Sequence, residues 1–160
     1  MTNALFVVSA ADGWTLKDGT VRPTGYWAEE LAVPYRLFSE AGWDITVATP
    51  NAVAPTVDEG SLGEGAGDPK ELEEIRAYLE SIKDVLDNPK SLADVNEEDF
   101  DLVFYPGGHG PMEDLAVDAV SGQLLKQRLA AGKPLALLCH APAALLSLIH
   151  ISEPTRPERI

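Results

Sequence analysis

The fold is decided by residues 132–145, GKPLALLCHAPAAL. An apolar run over 134–139 leads directly into Cys139 and His140, and small residues then begin a helix. A short continuous apolar run is typical of a strand that is covered on both faces. A strand that turns sharply into a helix at a reactive residue has the layout of a nucleophile elbow, in which the first helix amides lower a thiol pKa.

Three further apolar runs have the same character, and helical patterns separate them. The runs are 4–9, 44–49 and 101–105, and a helix is predicted over 121–131 before the fourth run. Strands that alternate with helices predict an α/β fold, with a parallel sheet and helices on both faces. Catalytic residues of such sheets collect at the carboxyl ends of the strands, where Cys139 lies.

The helical patterns also have predicted boundaries. Pro34 is tolerated best in a first turn, so we expect the first helix to begin just after Glu30 and to stop at Gly42. Apolar residues spaced by three and four over 70–87 predict an amphipathic surface helix, with a coiled coil as the alternative. The glycine-rich segment 60–68 is predicted to be a flexible loop tip.

Composition restricts the class of protein. The 160 residues carry 26 acids and 12 bases, a net charge of −14, which disfavours nucleic acid as a partner. No apolar run reaches the roughly 20 residues that span a bilayer, so we expect no membrane segment. A single cysteine leaves no disulfide framework, and we expect a cytoplasmic protein.

Cys139 has two interpretations. As a nucleophile it would use the elbow geometry, and small residues after it would keep the turn tight. Leu137 departs from this pattern, because many elbows carry glycine at that position. The alternative is a buried structural cysteine at the end of a strand.

A second turn follows the third apolar run, at Gly107, Gly108 and His109. Paired glycines let the backbone approach a ligand and expose amide donors, which could form half of an oxyanion hole with the His140 amide. A plain tight turn and a phosphate cradle are the alternatives, although no GKS or GKT follows. Cys, His and acidic residues show no metal-ligand spacing, so no metal is expected.

Glu29 and Glu30 begin the first predicted helix. Acids are favoured there by the helix dipole alone. A functional interpretation places one carboxyl against the thiol. An ionised carboxylate would raise the thiol pKa, whereas a protonated one would donate a hydrogen bond and lower it.

Four segments together resemble the PfpI/ThiJ superfamily, which has the class I glutamine amidotransferase-like fold. They are GYWAEELAVPY at 25–35, DITVATP at 44–50, YPGGHGPMEDL at 105–115 and LLCHAPAAL at 137–145. The resemblance is greatest to the branch of glutathione-independent glyoxalases, protein deglycases and stress chaperones. It implies a flavodoxin-like parallel sheet with helices on both faces, truncated here after the elbow helix.

The resemblance also implies roles for residues. The family nucleophile and its neighbouring histidine fall on Cys139 and His140, and the family glutamate falls on Glu30, with Glu29 one position away. Gly108 and the His140 amide match the oxyanion donors. Members of the branch convert methylglyoxal to lactate without a cofactor, so the implied partners are small α-oxoaldehydes or glycated proteins, and the implied assembly is a homodimer.

The last residues differ in character. The stretch LSLIHISEPTR, 146–156, resembles a translated sequencing adapter, and Pro154 and Pro157 would interrupt a continuing helix. We therefore expect a family domain over 1–145 that is incomplete at its C-terminus, followed by a non-native tail over 146–160. A natural divergent tail is the alternative.

Two other functions remain open at the level of sequence. Cys139 could be oxidised as the sensor of a non-catalytic redox or chaperone-like stress protein. It could also be the nucleophile of a peptidase-like hydrolase, which in this family would need an oligomer to enclose its site. A glutamine amidotransferase is disfavoured, because the distant histidine and acid of that class have no counterpart here.

Overall fold

The four apolar runs form parallel strands of one sheet, in a computed structural model that describes residues 1–151. The strands are β1 (Asn3–Val7), β2 (Gly13–Thr15), β3 (Val21–Pro23), β4 (Asp44–Thr49), β5 (Lys90–Ser91), β6 (Leu102–Tyr105) and β7 (Leu135–Leu137). Within the described residues the main sheet has the order β5-β4-β1-β6-β7, and all of its pairings are parallel. The short strands β2 and β3 pair antiparallel as a separate hairpin.

Helices cover both faces of the sheet, as the flavodoxin-like prediction requires. They are α1 (Ala28–Glu40), α2 (Pro69–Ser81), α3 (Lys83–Asp87), α4 (Gly110–Glu113), α5 (Ala119–Ala130) and α6 (Ser147–Ile151). Successive side chains of β1 point to opposite faces, so Phe6 packs under α1 while Leu5 and Val7 pack in the layer that contains Leu125 of α5. Burial on both faces explains why the strands are apolar without alternation.

The predicted start of α1 was wrong. The helix begins at Ala28, so Pro34 lies inside it rather than in its first turn. The Ala28 amide donates to Ser61 Oγ at 3.0 Å, and Ala28, Leu31 and Tyr35 are buried. Packing of this face and the hydrogen bond to Ser61 fix the start of the helix at Ala28. They do so even though Pro34 has no N–H to donate to the preceding turn of the helix. Gly42, with φ +83°, follows the end of the helix as expected.

The segment predicted as one helix over 70–87 is divided. Ile82 has φ −107° and ψ 15°, which separates α2 from α3, and the buried Leu79 and Leu86 lie on either side of this bend. The preceding segment begins with a 3₁₀ turn, Glu59–Leu62, whose Ser61 is buried against α1.

The strand order predicts at which edge of the sheet a ligand would bind. The chain passes from β1 to β4 on one side, and β6 lies on the other side of β1, so the strand order reverses between β1 and β6. Ligands of open α/β sheets bind outside the carboxyl ends of the strands at such a switch point. The turns that follow β1, β6 and β7 all lie at this edge.

The structure describes only part of the predicted non-native tail, residues 146–160. Residues 141–146 form a 3₁₀ segment, and α6 continues to Ile151. The remainder of the predicted non-native tail, 152–160, lies outside the described residues. None of the helices described is long and apolar enough to cross a bilayer.

Candidate active site

Cys139 occupies a strained turn at the end of β7. Its φ is +56°, a left-handed conformation that is uncommon for a residue with a side chain. The turn is closed because the Ala141 amide donates to the Leu138 carbonyl at 2.9 Å, and the Leu138 amide donates to Tyr105 of β6 at 3.0 Å. Such strain is typical of a nucleophile elbow and presents the side chain to solvent, where the thiol is exposed.

The groups around the sulfur come from two turns. His140 Nδ1 lies 3.3 Å from Cys139 Sγ. The backbone amides of His140 and Gly108 also act on the sulfur, and both lower the thiol pKa. Gly108 follows β6 and His140 follows β7, so adjacent parallel strands bring the two predicted oxyanion donors to one point.

Of the two candidate acids, the structure places Glu30 at the thiol. Glu29 is exposed, whereas Glu30 is half-buried and interacts with the Cys139 side chain and the Gly107 backbone. Glu30 Oε2 is buried and has no hydrogen-bond partner within the described part of the chain. A buried carboxyl oxygen without a partner is costly, and the cost is smaller for a protonated carboxyl than for a carboxylate.

The carboxyl and the thiol shift each other's pKa in opposite directions. Burial raises the pKa of Glu30, and this outweighs the opposing effects of Cys139, Gly107 and His140. Although Cys139 is exposed, partial desolvation of its sulfur raises the pKa of the thiol, and the hydrogen bond and the charge of Glu30 raise it further. Because the Cys139 side chain lowers the pKa of Glu30 while Glu30 raises the pKa of Cys139, the pair favours the state in which the sulfur keeps the proton and hydrogen-bonds the carboxylate.

Two glycines of the turn after β6 are required by close packing. A Cβ at Gly107 would lie 2.6 Å from the Leu138 carbonyl oxygen and 2.7 Å from Cys139 Cβ, and nearer still to Glu30 Oε2. Gly108 has φ +100°, and a Cβ there would lie 2.7 Å from the Trp27 amide nitrogen. The turn therefore fits against both the elbow and the start of α1 only with glycine at both positions.

His109 borders the site but does not contact the sulfur directly. Its ring packs against the His140 ring, with centroids 4.8 Å apart. On another side it stacks on Trp14, with centroids 5.3 Å apart and planes within 6° of parallel. Its Nδ1 lies 3.9 Å from Asp58 Oδ2.

Sequence reasoning missed both Trp14 and Asp58. Trp14 lies on β2, and a signal for its hairpin was present in Asp18-Gly19, a dipeptide typical of hairpin turns. Asp58 had no such signal, because it meets His109 across 51 residues of chain. No group of three or more His, Cys, Asp and Glu side chains among residues 1–151 could hold a metal ion.

Comparison with known proteins places this geometry in a family. The model of the DJ-1/PfpI family matches residues 23–152. Protein/nucleic acid deglycase HchA of Staphylococcus aureus strain MRSA252 is 33% identical over 138 residues, which cover 82% of this chain and 45% of that protein. The chain thus spans less than half the length of the curated relatives it matches.

Solved structures share the fold. Rapid Encystment Protein REP24 of Francisella tularensis superposes with a TM-score of 0.74 at 25% identity, over 91% of this chain and 61% of that one. Glyoxalase III of Candida albicans superposes with a TM-score of 0.71 at 23% identity, over 89% and 59%. These neighbours confirm the predicted flavodoxin-like sheet.

Proposed function

The chain belongs to the DJ-1/PfpI family, and from that premise we propose that its parent protein converts small α-oxoaldehydes such as methylglyoxal to 2-hydroxy acids without a cofactor. One observation carries the proposal: the single cysteine lies in a strained elbow beside a half-buried carboxyl of raised pKa and two backbone amide donors. This set supplies a nucleophile, an acid–base group and an oxyanion site in one place.

In the first step the Cys139 thiolate attacks the aldehyde carbon. A carbon–sulfur bond forms, the carbonyl electron pair moves to oxygen, and that oxygen takes a proton to give a hemithioacetal. The amides of Gly108 and His140 act on the sulfur and therefore lie where they can donate to the developing oxyanion. The proton that leaves the thiol is taken up by Glu30 or His140, the two titratable groups beside it, and passes from there to the alkoxide oxygen, which leaves Glu30 ionised for the next step.

In the second step Glu30 moves a proton between adjacent carbons. The ionised carboxylate removes the proton from the former aldehyde carbon, and through the enediol the hydroxyl proton of that carbon passes to the former ketone oxygen. The carboxyl then returns its proton to the former ketone carbon. The first carbon is thereby oxidised and the second reduced, which yields a hydroxyacyl thioester on Cys139. Burial raises the pKa of Glu30, and a base with a pKa nearer to neutral transfers protons in both directions more readily.

In the last step water hydrolyses the thioester. Addition of water to the acyl carbon and loss of the thiolate release the 2-hydroxy acid and return the thiol. His140 is exposed and its Nδ1 lies 3.3 Å from the sulfur, so it is placed to activate the water. The net reaction adds one water molecule to the α-oxoaldehyde, and no external oxidant or reductant is consumed.

The proposed substrates extend to glycated protein. The related HchA is named a protein/nucleic acid deglycase. Hemithioacetals and aminocarbinols formed by an α-oxoaldehyde on a protein present the same reacting carbons to Cys139. We leave nucleic acid outside the proposal, because a net charge of −14 opposes the approach of a polyanion. Removal of methylglyoxal adducts from the guanines of a DNA oligonucleotide would show that this exclusion is wrong.

Three other features are part of the proposal. The parent is expected to be a homodimer and to act in the cytoplasm, where a single thiol stays reduced. Residues 146–160 are proposed to be non-native to it. Size-exclusion chromatography of the 160-residue chain beside the product of the parent gene, read past Leu145, tests the assembly and the tail together.

The test of the reaction measures lactate from methylglyoxal in the absence of glutathione. The product of the parent gene and the 160-residue chain are compared, each beside its Cys139→Ala variant. Turnover by the parent that disappears in its variant supports the proposal. A well-folded parent without turnover would overturn it, and reversible oxidation of Cys139 by peroxide would then favour a redox sensor.

A further inference from the structure

We propose that His109 is a positioning residue for the nucleophile. Its ring is held between the Trp14 indole and the Asp58 carboxylate, and it packs against His140 so that Nδ1 of His140 stays directed at the sulfur of Cys139. The inference deepens the proposed function because it concerns the same thiol. Its test reads the thiol itself and requires no turnover.

His140 is exposed, and it directly follows the nucleophile at the elbow. An exposed histidine ring rotates freely unless a neighbour restricts it. The His109 ring, with its centroid 4.8 Å away and its plane tilted by 45°, provides such a neighbour.

His109 is itself restricted by two elements from distant parts of the chain. The Trp14 ring lies parallel to it, and only 25% of the His109 side chain is exposed. Asp58 is fixed in turn, since its Oδ2 accepts from Thr24 Oγ1 and its Oδ1 accepts from the Gly60 amide, both at 2.9 Å. These two hydrogen bonds hold the carboxylate where it faces His109 Nδ1.

The hairpin that carries Trp14 is also anchored. Thr15 donates from its amide and from Oγ1 to the two carboxylate oxygens of Glu113, at 2.9 and 2.8 Å. Glu113 lies on α4, directly after the turn that carries His109. The hairpin and the turn are thus held together at a second point, which keeps the Trp14 and His109 rings stacked.

The titratable groups that face the His109 and His140 rings can be changed one at a time by mutation. Asp58 and His140 face His109, and Cys139 and Glu30 face His140. A ring nitrogen that donates to the sulfur favours the thiolate. Loss of the His109 ring leaves His140 free to rotate away, and we expect the thiol pKa to rise.

The experiment follows alkylation of Cys139 by iodoacetamide as a function of pH. Cys139 is the only cysteine of the chain, so the rate of labelling reports on this thiol alone. For His109→Ala we expect the inflection of the pH–rate curve to move upward by about one unit. Because thiolates of higher pKa are more nucleophilic, alkylation well below the inflection should be only roughly three- to fourfold slower.

Three companion variants separate positioning from general disruption. Trp14→Ala removes the support of His109 without touching His140, and it should move the inflection in the same direction by a smaller amount. His109→Phe keeps a ring between Trp14 and His140, and it should restore most of the wild-type profile. Val21→Ala truncates an exposed side chain on the same hairpin and should leave the profile unchanged.

Each outcome is decisive. Shifts in His109→Ala and Trp14→Ala together with recovery in His109→Phe support the inference. An unshifted inflection in a folded His109→Ala protein overturns it, as does a shift in His109→Phe equal to that of His109→Ala. If the thiol profile behaves as expected but methylglyoxal is not consumed, the positioning role stands and the proposed function fails.

Discussion

Substitution of Gly107 by alanine perturbs the point where the Cys139 elbow, the Glu30 carboxyl and the turn after β6 meet. The added Cβ would lie 2.6 Å from the Leu138 carbonyl oxygen and 2.7 Å from Cys139 Cβ, with Glu30 Oε2 nearer still. Ordinary van der Waals contact begins near 3.4 Å, so the Leu138 oxygen and Cys139 Cβ must each move away by about 0.7 to 0.8 Å, and Glu30 Oε2 by more. The elbow, the carboxyl and the turn after β6 cannot all keep their positions.

The size of the expected effect follows from that displacement. Misplacement of reacting groups by about 1 Å costs on the order of 10²-fold in rate, so kcat/KM for methylglyoxal should fall roughly 10- to 100-fold. Forcing an extra methyl into a packed site should also cost about 1–3 kcal/mol of stability. Stopped assays of lactate and urea unfolding of the same preparation measure the two effects separately.

Gly63→Ala is the matched control for this variant. A Cβ at Gly63 would meet its nearest neighbours at 3.6 and 3.7 Å, and its φ of −86° suits alanine. It should therefore leave both turnover and stability near those of the wild type. Wild-type turnover and an unchanged alkylation profile of Cys139 in Gly107→Ala would refute the reasoning, because the close packing would then not constrain the site.

Two further predictions concern charge. Glu30→Gln removes the carboxylate that raises the Cys139 pKa, so the inflection of the alkylation curve should move to lower pH. Lactate formation should fall roughly 10²- to 10⁴-fold, because the base is lost. A variant with a more reactive thiol and unchanged turnover would contradict the role of Glu30 as base. Arg128→Met removes a fully buried guanidinium that pairs with Glu97 at 3.1 Å, which should cost about 3–5 kcal/mol in urea unfolding. Adding Glu97→Gln should restore part of that loss, and an unchanged midpoint for Arg128→Met alone would count against the buried pair.

The parallel sheet could be predicted because its strands are buried on both faces. Burial of that kind leaves a continuous apolar run, and each run that was identified from the sequence lies on a strand of the main sheet. The strand β5 was missed, since two residues carry no periodicity. The position of the reactive residues at the strand ends could also be predicted from the topology, because parallel strands bring their carboxyl ends to one edge.

Predictions that depended on tertiary contacts were less accurate. The start of α1 was placed too late because local sequence shows the cost of Pro34 but not the hydrogen bond from Ala28 to Ser61. The choice between Glu29 and Glu30 depends on that start, which sets which carboxyl faces the elbow. Arg128 had no local signal either, since its hydrogen bonds reach the Glu97 and Pro134 carbonyls on separate segments.

The central claim is that Cys139 forms a covalent intermediate that turns over. The most direct measurement mixes the parent protein with methylglyoxal, quenches with acid at short times and follows the mass of the protein. The account predicts a population heavier by one methylglyoxal, located on Cys139, which forms and decays at rates that match lactate formation and is absent from Cys139→Ala. An adduct that never forms, or that accumulates without release of lactate, would contradict it.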